Sequence, residues 1–161
     1  MTINVGDKIP SVTLKQLTPE GPKEITTDEL FRGKKVVLLA VPGAFTPACS
    51  QRHLPGYVDK ATDIRGKGVD EIACVAVNDA FVMGAWGKEQ KTEGKVSMLA
   101  DGSGDFARAL GLELDLTKMG LGIRSKRYSM LVDNGVVKSL NLEQQPGQVD
   151  TSSAETMLKA L

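Results

Sequence analysis

Cysteine is scarce in this sequence, which has two among its 161 residues, Cys49 and Cys74. Secreted domains that depend on disulfides carry many more, so two cysteines are too few for such a scaffold. A reducing compartment keeps both as thiols, and the Cys-x-x-Cys motif of dithiol oxidoreductases is absent. The chemistry of each cysteine therefore matters more than any disulfide framework.

An excess of charge of one sign is also missing. Twenty basic residues balance twenty acidic ones, only 4% of the residues are aromatic, and no cluster interleaves the two types. Such a chain lacks the broad positive field that attracts nucleic acid, so we do not expect that partner. The longest apolar run, around residues 36–41, is far shorter than the roughly 20 residues that cross a bilayer. We therefore expect no membrane segment.

The first residues, "MTINVGDKIP", show neither a basic segment followed by an apolar run nor the Arg/Ser-rich character of a transit peptide. The default prediction is a cytoplasmic protein, unless a presequence has been removed.

The apolar content of 41% suits one domain over residues 1–161. "KKVVLLAVP", "EIACVAV" and "VSMLAD" are predicted buried strands that alternate with helices, and "YSMLVDNGVVKSL" is a predicted hairpin with a type I′ turn at Asn134-Gly135. A last helix begins at Ser152, with Glu155 in capping-box spacing. These elements predict an α/β sandwich around a central mixed sheet flanked by helices, compatible with a thioredoxin-like arrangement.

The stretch "VPGAFTPACS" at residues 41–50 places a cysteine where a strand gives way to a helix. Thr46 is a suitable N-cap and Pro47 suits the first helical position, so we expect a helix toward Arg65 with a kink at Pro55. Cys49 then lies in the first turn, where free backbone N–H groups and the helix dipole favour a thiolate. From position alone, this cysteine fits a nucleophile and a small buried core residue equally well.

Two neighbours of Cys49 are expected to assist it. The Thr46 hydroxyl lies three positions earlier, so it is expected to hydrogen-bond the sulfur as well as cap the helix. Pro42 lacks a backbone donor and stiffens the loop, which helps to keep water from the sulfur.

Several blocks of the sequence resemble the type II, or peroxiredoxin-five-like, subgroup of the peroxiredoxins. In chain order they are "PGAFTPAC", "HLPGY", "GVDEIACVAVNDAFVMGAW", "LAD" and "KRYSMLVDNGVVK". The family's Pro-x-x-x-Thr-x-x-Cys pattern is matched by Pro42, Thr46 and Cys49, and its distant arginine by Arg127. The resemblance implies a thioredoxin-like fold, reduction of hydrogen peroxide and organic hydroperoxides, no metal or organic cofactor, and homodimers.

The implied reaction is attack of the Cys49 thiolate on the terminal peroxide oxygen, which yields a sulfenic acid. Arg127 is the predicted electrostatic partner, and Thr46 with the backbone N–H groups of Ala48 and Cys49 completes the substrate cradle. Arg124 is the competing arginine, which without the family pattern is not separable from Arg127. Its simpler interpretation is a solvated surface residue.

His53 follows Cys49 by four residues, so the two are expected on one helical face. One hypothesis makes them a Cys-His pair for acyl transfer, but the sequence shows no orienting acid or oxyanion hole for it. The simpler interpretation places His53 in the pocket wall as a hydrogen-bonding residue. A second alternative is a non-enzymatic thioredoxin-like interaction or holdase module.

Cys74 lies within a predicted strand and is interpreted first as a core thiol, with a resolving role toward Cys49 as the alternative. The C-terminal cysteine that some relatives use for an intramolecular disulfide has no counterpart in "QVDTSSAET". The predicted reductant is therefore glutathione with glutaredoxin, or thioredoxin.

Large apolar residues also populate the predicted helix that Asn78 or Asp79 caps. Phe81, Met83 and Trp86 are expected on its buried face. For Phe81, and for Phe45 before the cysteine, the alternative by analogy with the family is a dimer contact.

Overall fold

The computed structural model describes residues 2–161, which form a central mixed sheet with helices on both faces. The strands are β1 (Thr13–Thr18), β2 (Gly21–Thr26), β3 (Lys35–Ala40), β4 (Glu71–Ala76), β5 (Ser97–Ala100), β6 (Glu113–Leu116), β7 (Gly122–Ser125), β8 (Tyr128–Asp133) and β9 (Val136–Leu142). The α-helices are α1 (Thr27–Phe31), α2 (Leu54–Asp59), α3 (Ala61–Arg65), α4 (Ala80–Glu89), α5 (Asp105–Leu110) and α6 (Ala154–Ala160).

The large sheet has seven strands in the order β2-β1-β5-β4-β3-β8-β9. Strands β3, β4 and β5 run parallel, and the remaining pairs are antiparallel. Strands β3 and β4 are buried on both faces, as their uninterrupted apolar sequences require. The predicted α/β fold with a central mixed sheet is confirmed.

Two apolar cores lie on opposite faces of this sheet. One contains Cys49, Cys74 and Trp86 and is covered by α2, α3, α4 and α6. The other contains Phe31 and Phe106 and is covered by α1 and α5. Both cysteines therefore belong to the same side of the sheet.

The hairpin between β8 and β9 turns at Asn134-Gly135 with φ values of 49° and 79°. Two positive φ angles define the type I′ turn, so that prediction is correct. Helix α1 and the separate β6–β7 hairpin were not predicted, because each is too short to show a clear hydrophobic period.

Two predictions about helices need correction. The N-cap of α6 is Ser153, whose hydroxyl accepts the N–H of Thr156, whereas the predicted cap Ser152 is buried and bonded to Glu143. Phe81 is 64% exposed, although Met83 and Trp86 are buried as expected.

No helix among residues 2–161 is both long and apolar enough to cross a membrane.

Candidate active site

The loop after β3 forms a tight turn that leads into the cysteine. The carbonyl of Gly43 accepts the Thr46 N–H at 3.4 Å and the Thr46 hydroxyl at 2.7 Å. Phe45 within this turn has a φ of 64°, an unfavourable conformation for a bulky residue. The Asn78 side chain fixes the turn from outside by accepting the Ala44 N–H at 2.9 Å. Sequence reasoning considered Asn78 only as a helix cap; the observed cap of α4 is Asp79.

The predicted hydrogen bond from the Thr46 hydroxyl to the Cys49 sulfur is wrong. Its one hydrogen is donated to the Gly43 carbonyl, and among residues 2–161 no hydrogen bond joins Thr46 Oγ1 to Cys49. The oxygen lone pairs remain free to accept a hydrogen bond from another molecule.

Cys49 begins a π-helical turn, Cys49–His53, instead of the continuous α-helix that the sequence predicted. The carbonyl of Cys49 accepts the N–H of Leu54, five residues later. Pro55 explains this wide turn, because it has no N–H and its ring crowds the carbonyl four residues before it. A second break at Lys60 separates α2 from α3. The predicted single kinked helix is thus three short helical segments.

The Cys49 sulfur is fully buried beside the guanidinium of Arg127. Nη2 of Arg127 donates to Sγ at 3.1 Å, Nη1 lies 2.9 Å from Nδ1 of His53, and Nε donates to the Pro146 carbonyl at 2.9 Å. Arg127 is only 2% exposed, and within residues 2–161 no carboxylate lies within 4.0 Å of it. Its three donor groups are therefore fixed, but its positive charge has no carboxylate beside it.

His53 is held in one tautomer by its two partners. Nε2 lies 3.1 Å from the Ser152 carbonyl, which can only accept, so Nε2 carries the proton and Nδ1 accepts from Arg127. Burial, followed by the charge of Arg127, lowers the pKa of His53 to about 3. The neutral ring has no free lone pair for the Cys49 thiol, which removes the basis for a Cys-His hydrolase.

A second layer of residues, which sequence reasoning missed, supports His53 from behind. The Tyr57 hydroxyl also donates to the Ser152 carbonyl, at 2.8 Å. The Glu143 carboxylate accepts the backbone N–H groups of Ser152 and Asp150 and the Ser152 hydroxyl. Burial opposes ionisation of Glu143, but these hydrogen bonds outweigh it and lower its pKa. Tyr57 follows His53 by four residues, but Glu143 and Ser152 lie 90 and 99 residues away in sequence, and no short motif joins them to it.

Known proteins are similar to this chain in sequence and in architecture. The Redoxin family matches residues 4–158. Peroxiredoxin-2E, chloroplastic, of Arabidopsis thaliana is 55% identical over 99% of this chain and 70% of its own length. The chain is a peroxiredoxin.

Solved structures place the resemblance in the peroxiredoxin-five-like group. Reduced Prx3 of Vibrio vulnificus in complex with H2O2 has a TM-score of 0.94 and 55% identity, with 99% of each chain covered. Peroxiredoxin 5 of Alvinella pompejana has a TM-score of 0.86 and 40% identity, with 98% of this chain and 97% of that chain covered. The suspected family is confirmed, and membership in it supports thiol peroxidase activity.

Arg124 contacts the start of the loop that leads to Cys49, but among the described residues it makes no hydrogen bond to the sulfur. Its Nε donates to the Leu121 carbonyl at 2.8 Å, and Nη1 donates to the carbonyl of the buried Pro42 at 3.4 Å. The side chain is half-buried against the turn, so the expected fully solvated arginine is not observed. Of the two candidate arginines, Arg127 is the one in contact with Cys49.

Cys74 is a free thiol in the middle of β4, between Leu39 of β3 and Met98 of β5. It is fully buried among apolar side chains. Burial, and after it the negative charge of an ionised Cys49, raises the pKa of the Cys74 thiol. In this conformation Cys74 has the properties of an inert core residue.

Trp86 is the single tryptophan of the chain and lies next to the reactive turn. Its indole N–H donates to the hydroxyl of Ser50, the residue after Cys49, at 3.0 Å. The fluorescence of Trp86 is therefore expected to respond when the turn at Cys49 changes.

Proposed function

We propose that this peroxiredoxin reduces hydroperoxides through Cys49, with Arg127, Thr46 and Pro42 as its assisting residues. The observation that carries the proposal is the 3.1 Å contact between Arg127 Nη2 and Cys49 Sγ. A buried guanidinium without a carboxylate is costly, and an anionic sulfur balances its charge. Arg127 thus favours the thiolate, which is the nucleophilic form of cysteine.

In the proposed step, the thiolate attacks the terminal oxygen of the hydroperoxide as the O–O bond breaks. The sulfur gains the hydroxyl group and becomes sulfenic acid, and the leaving alkoxide or hydroxide takes a proton from water. Arg127 stabilises the charge that moves from sulfur to the leaving oxygen.

In this proposal, the substrate is bound at the start of the helical segment that contains Cys49. Thr46 Oγ1 has already donated its hydrogen to Gly43, so it accepts the hydrogen of the peroxide hydroxyl. The backbone N–H groups of Ala48 and Cys49, which lack partners at the start of a helix, donate to the peroxide oxygens. Pro42 contributes by closing the strand end without adding a competing donor.

His53 acts as a positioning residue for Arg127 in this proposal. Its neutral Nδ1 accepts from Nη1 and so fixes the plane of the guanidinium. We expect His53→Ala to keep much of the peroxidase activity, because the contact between Arg127 and Cys49 does not pass through the ring.

Intact-mass measurement after one equivalent of hydrogen peroxide tests this assignment. We expect the wild type to gain one oxygen rapidly and Cys49→Ser to gain none. An inert wild-type thiol would instead favour the non-enzymatic binding or holdase module.

Glutathione with glutaredoxin, or thioredoxin, is the proposed reductant system. The fully buried Cys74 supports turnover with one cysteine, because a resolving role would require the strand or the π-helical turn to open. After peroxide treatment without added thiol, a mass two hydrogens below that of the reduced protein, abolished by Cys74→Ser, would assign Cys74 as the resolving cysteine, because its thiol displaces water from the Cys49 sulfenic acid. Steady-state assays with each purified reductant system distinguish the two donors.

We also propose a homodimer. The exposed aromatic rings of Phe45 (52%) and Phe81 (64%) support an interface beside the site. Sedimentation tests this proposal. We expect the wild type to sediment as a dimer and the double variant Phe45→Ser/Phe81→Ser to sediment as a monomer.

The cytoplasm stays the predicted compartment, supported by two free thiols that suit a reducing environment. Two relatives are named as chloroplastic, which makes fractionation of the source cells the deciding measurement.

A further inference from the structure

The position of Arg124 is set by the turn that precedes Cys49. A Cβ atom on Gly43 would lie 2.8 Å from Nη1 of Arg124 and 3.2 Å from Cγ2 of Thr46. The glycine therefore leaves room for the guanidinium, and these two distances together place its Nη1 within about 6 Å of the Thr46 methyl carbon. Thr46 belongs to the proposed substrate cradle, so Arg124 places a positive charge at its border.

Among residues 2–161, the charge of Arg124 has no acidic partner. Within residues 2–161, the ion pairs lie between other residues, which are Lys15–Glu24, Lys23–Glu20, Lys34–Glu71 and Arg108–Asp105. Two backbone carbonyls orient the guanidinium through Nε and Nη1. Nη2 has no partner among the described residues, so it is available to a ligand.

The two arginines at the site differ in what their charges face. The charge of Arg127 faces the sulfur in the buried interior, whereas Arg124 is half-buried and retains contact with solvent. A positive charge at the border of a cleft raises the local concentration of anions. An arginine also presents a planar set of donors that matches a carboxylate.

We propose that Arg124 is a specificity-determining residue that binds a carboxylate on the small molecule approaching Cys49. That molecule is either a hydroperoxide with a carboxylate or a thiol reductant with one. This inference rests on the proposed peroxidase function and adds a preference for anionic partners to it.

The test uses matched probes that differ in one charge. The hydroperoxides are 4-hydroperoxy-4-methylpentanoate and its methyl ester, and the thiols are 3-mercaptopropionate and its methyl ester. Oxidation of the reduced protein and reduction of the oxidised protein are followed separately by Trp86 fluorescence in single turnovers, with intact mass as a check. For each probe, the variant rate is divided by the wild-type rate, which cancels the intrinsic reactivity of the probe.

The variants are Arg124→Gln, Arg124→Lys and the matched control Arg65→Gln. Arg65 is also an arginine whose guanidinium donates to a backbone carbonyl, that of Lys95, but it is exposed at the end of α3. The control removes the same charge from the protein without touching the turn at Gly43.

We expect Arg124→Gln to slow the carboxylate probe about fivefold more than its ester, with a smaller difference at high salt. Arg124→Lys should restore much of the preference, and Arg65→Gln should leave it unchanged. A selective loss in the oxidation phase assigns the carboxylate to the hydroperoxide, and one in the reduction phase assigns it to the reductant.

Equal slowing of both probes, or no slowing, would overturn the inference and leave Arg124 as a brace for the turn. A wild-type protein that reacts with neither hydroperoxide would overturn the peroxidase proposal itself, which is a separate outcome.

Discussion

The two cysteines are equally buried, but their surroundings differ in kind. Cys49 begins a π-helical turn and receives a hydrogen bond from a guanidinium. Cys74 lies in a central strand, where burial raises the pKa of its thiol. Burial alone therefore does not determine the reactivity of a thiol. We propose that the charged group buried beside the sulfur, Arg127, makes the difference in reactivity.

Replacing each cysteine in turn tests the difference between them with the largest expected effect. We expect Cys49→Ser to lower peroxide consumption by at least about a thousandfold, because the hydroxyl is a far weaker nucleophile. Cys74→Ala should keep activity within about twofold while losing about 1 kcal/mol of stability from its small cavity. A steady-state peroxidase assay measures the activity of both variants, and denaturant unfolding measures their stability. Comparable losses of activity in the two variants would refute the distinction.

Removing the charge beside Cys49 should make its surroundings resemble those of Cys74. Arg127→Gln is expected to lower the rate of Cys49 oxidation by about 10² to 10³, as for loss of a group that stabilises developing charge. The matched control is Lys126→Gln, which removes a neighbouring half-buried cation that does not touch the sulfur. Single-turnover oxidation by hydrogen peroxide measures both. Equal rates in the two variants would show that the guanidinium contact is irrelevant.

Thr46 gives Cys49 a proposed substrate contact that Cys74 lacks. Thr46→Val loses the oxygen that accepts the peroxide hydrogen and also the bond to Gly43, so we expect a decrease in kcat/KM of about tenfold to a hundredfold. Thr46→Ser keeps the hydroxyl and should retain most of the activity. If Thr46→Ser loses as much kcat/KM as Thr46→Val, loss of the hydroxyl does not explain the loss of activity.

His53 is a buried base, and its lowered pKa makes the stability of the protein depend on pH. Its pKa of about 3 in the folded protein lies below its ordinary value of 6.5, so the unfolded chain takes up the proton first as the pH falls. Stability from this residue is complete above about pH 7 and is lost progressively as the pH falls from about 6.5 toward 3. From pH 7.5 to pH 5 the free energy of unfolding should decrease by about 2 kcal/mol.

His53→Gln is the control for this pH effect, because an amide donates to Ser152 and accepts from Arg127 without titrating. His53 is the only histidine in the sequence, so the variant should lack that decrease. Urea unfolding at the two pH values measures it. A His53→Gln variant with the same pH dependence of stability as the wild type would contradict the assignment of His53 as neutral and buried. The peroxidase activity of His53→Gln should change less than that of Cys49→Ser, Arg127→Gln or Thr46→Val.

Much of the fold was predictable because its strands have continuous apolar sequences and its turns have specific chemistry. The buried strand β3 and the type I′ turn at Asn134-Gly135 are examples. The π-helical turn at Cys49 was not predicted. A proline inside a helix indicates a disturbance, but the sequence does not say whether a kink, a wide turn or a break will absorb it.

The residues of the proposed site could be chosen from the sequence, but the hydrogen bonds that connect them could not. The motif identified Pro42, Thr46 and Cys49, and the family resemblance added Arg127. The support from Glu143 and Ser152 is formed by contacts distant in sequence, which no local pattern encodes. Phe81 was wrongly assigned to the core because helical spacing alone does not show where the buried stripe ends.

The central claim is that Arg127 maintains Cys49 as a reactive anion. The most direct test is the second-order rate constant for oxidation of Cys49 by hydrogen peroxide at pH 7, compared with free cysteine under the same conditions. We predict a rate at least about a thousandfold greater than that of free cysteine. A rate equal to that of free cysteine would contradict the account.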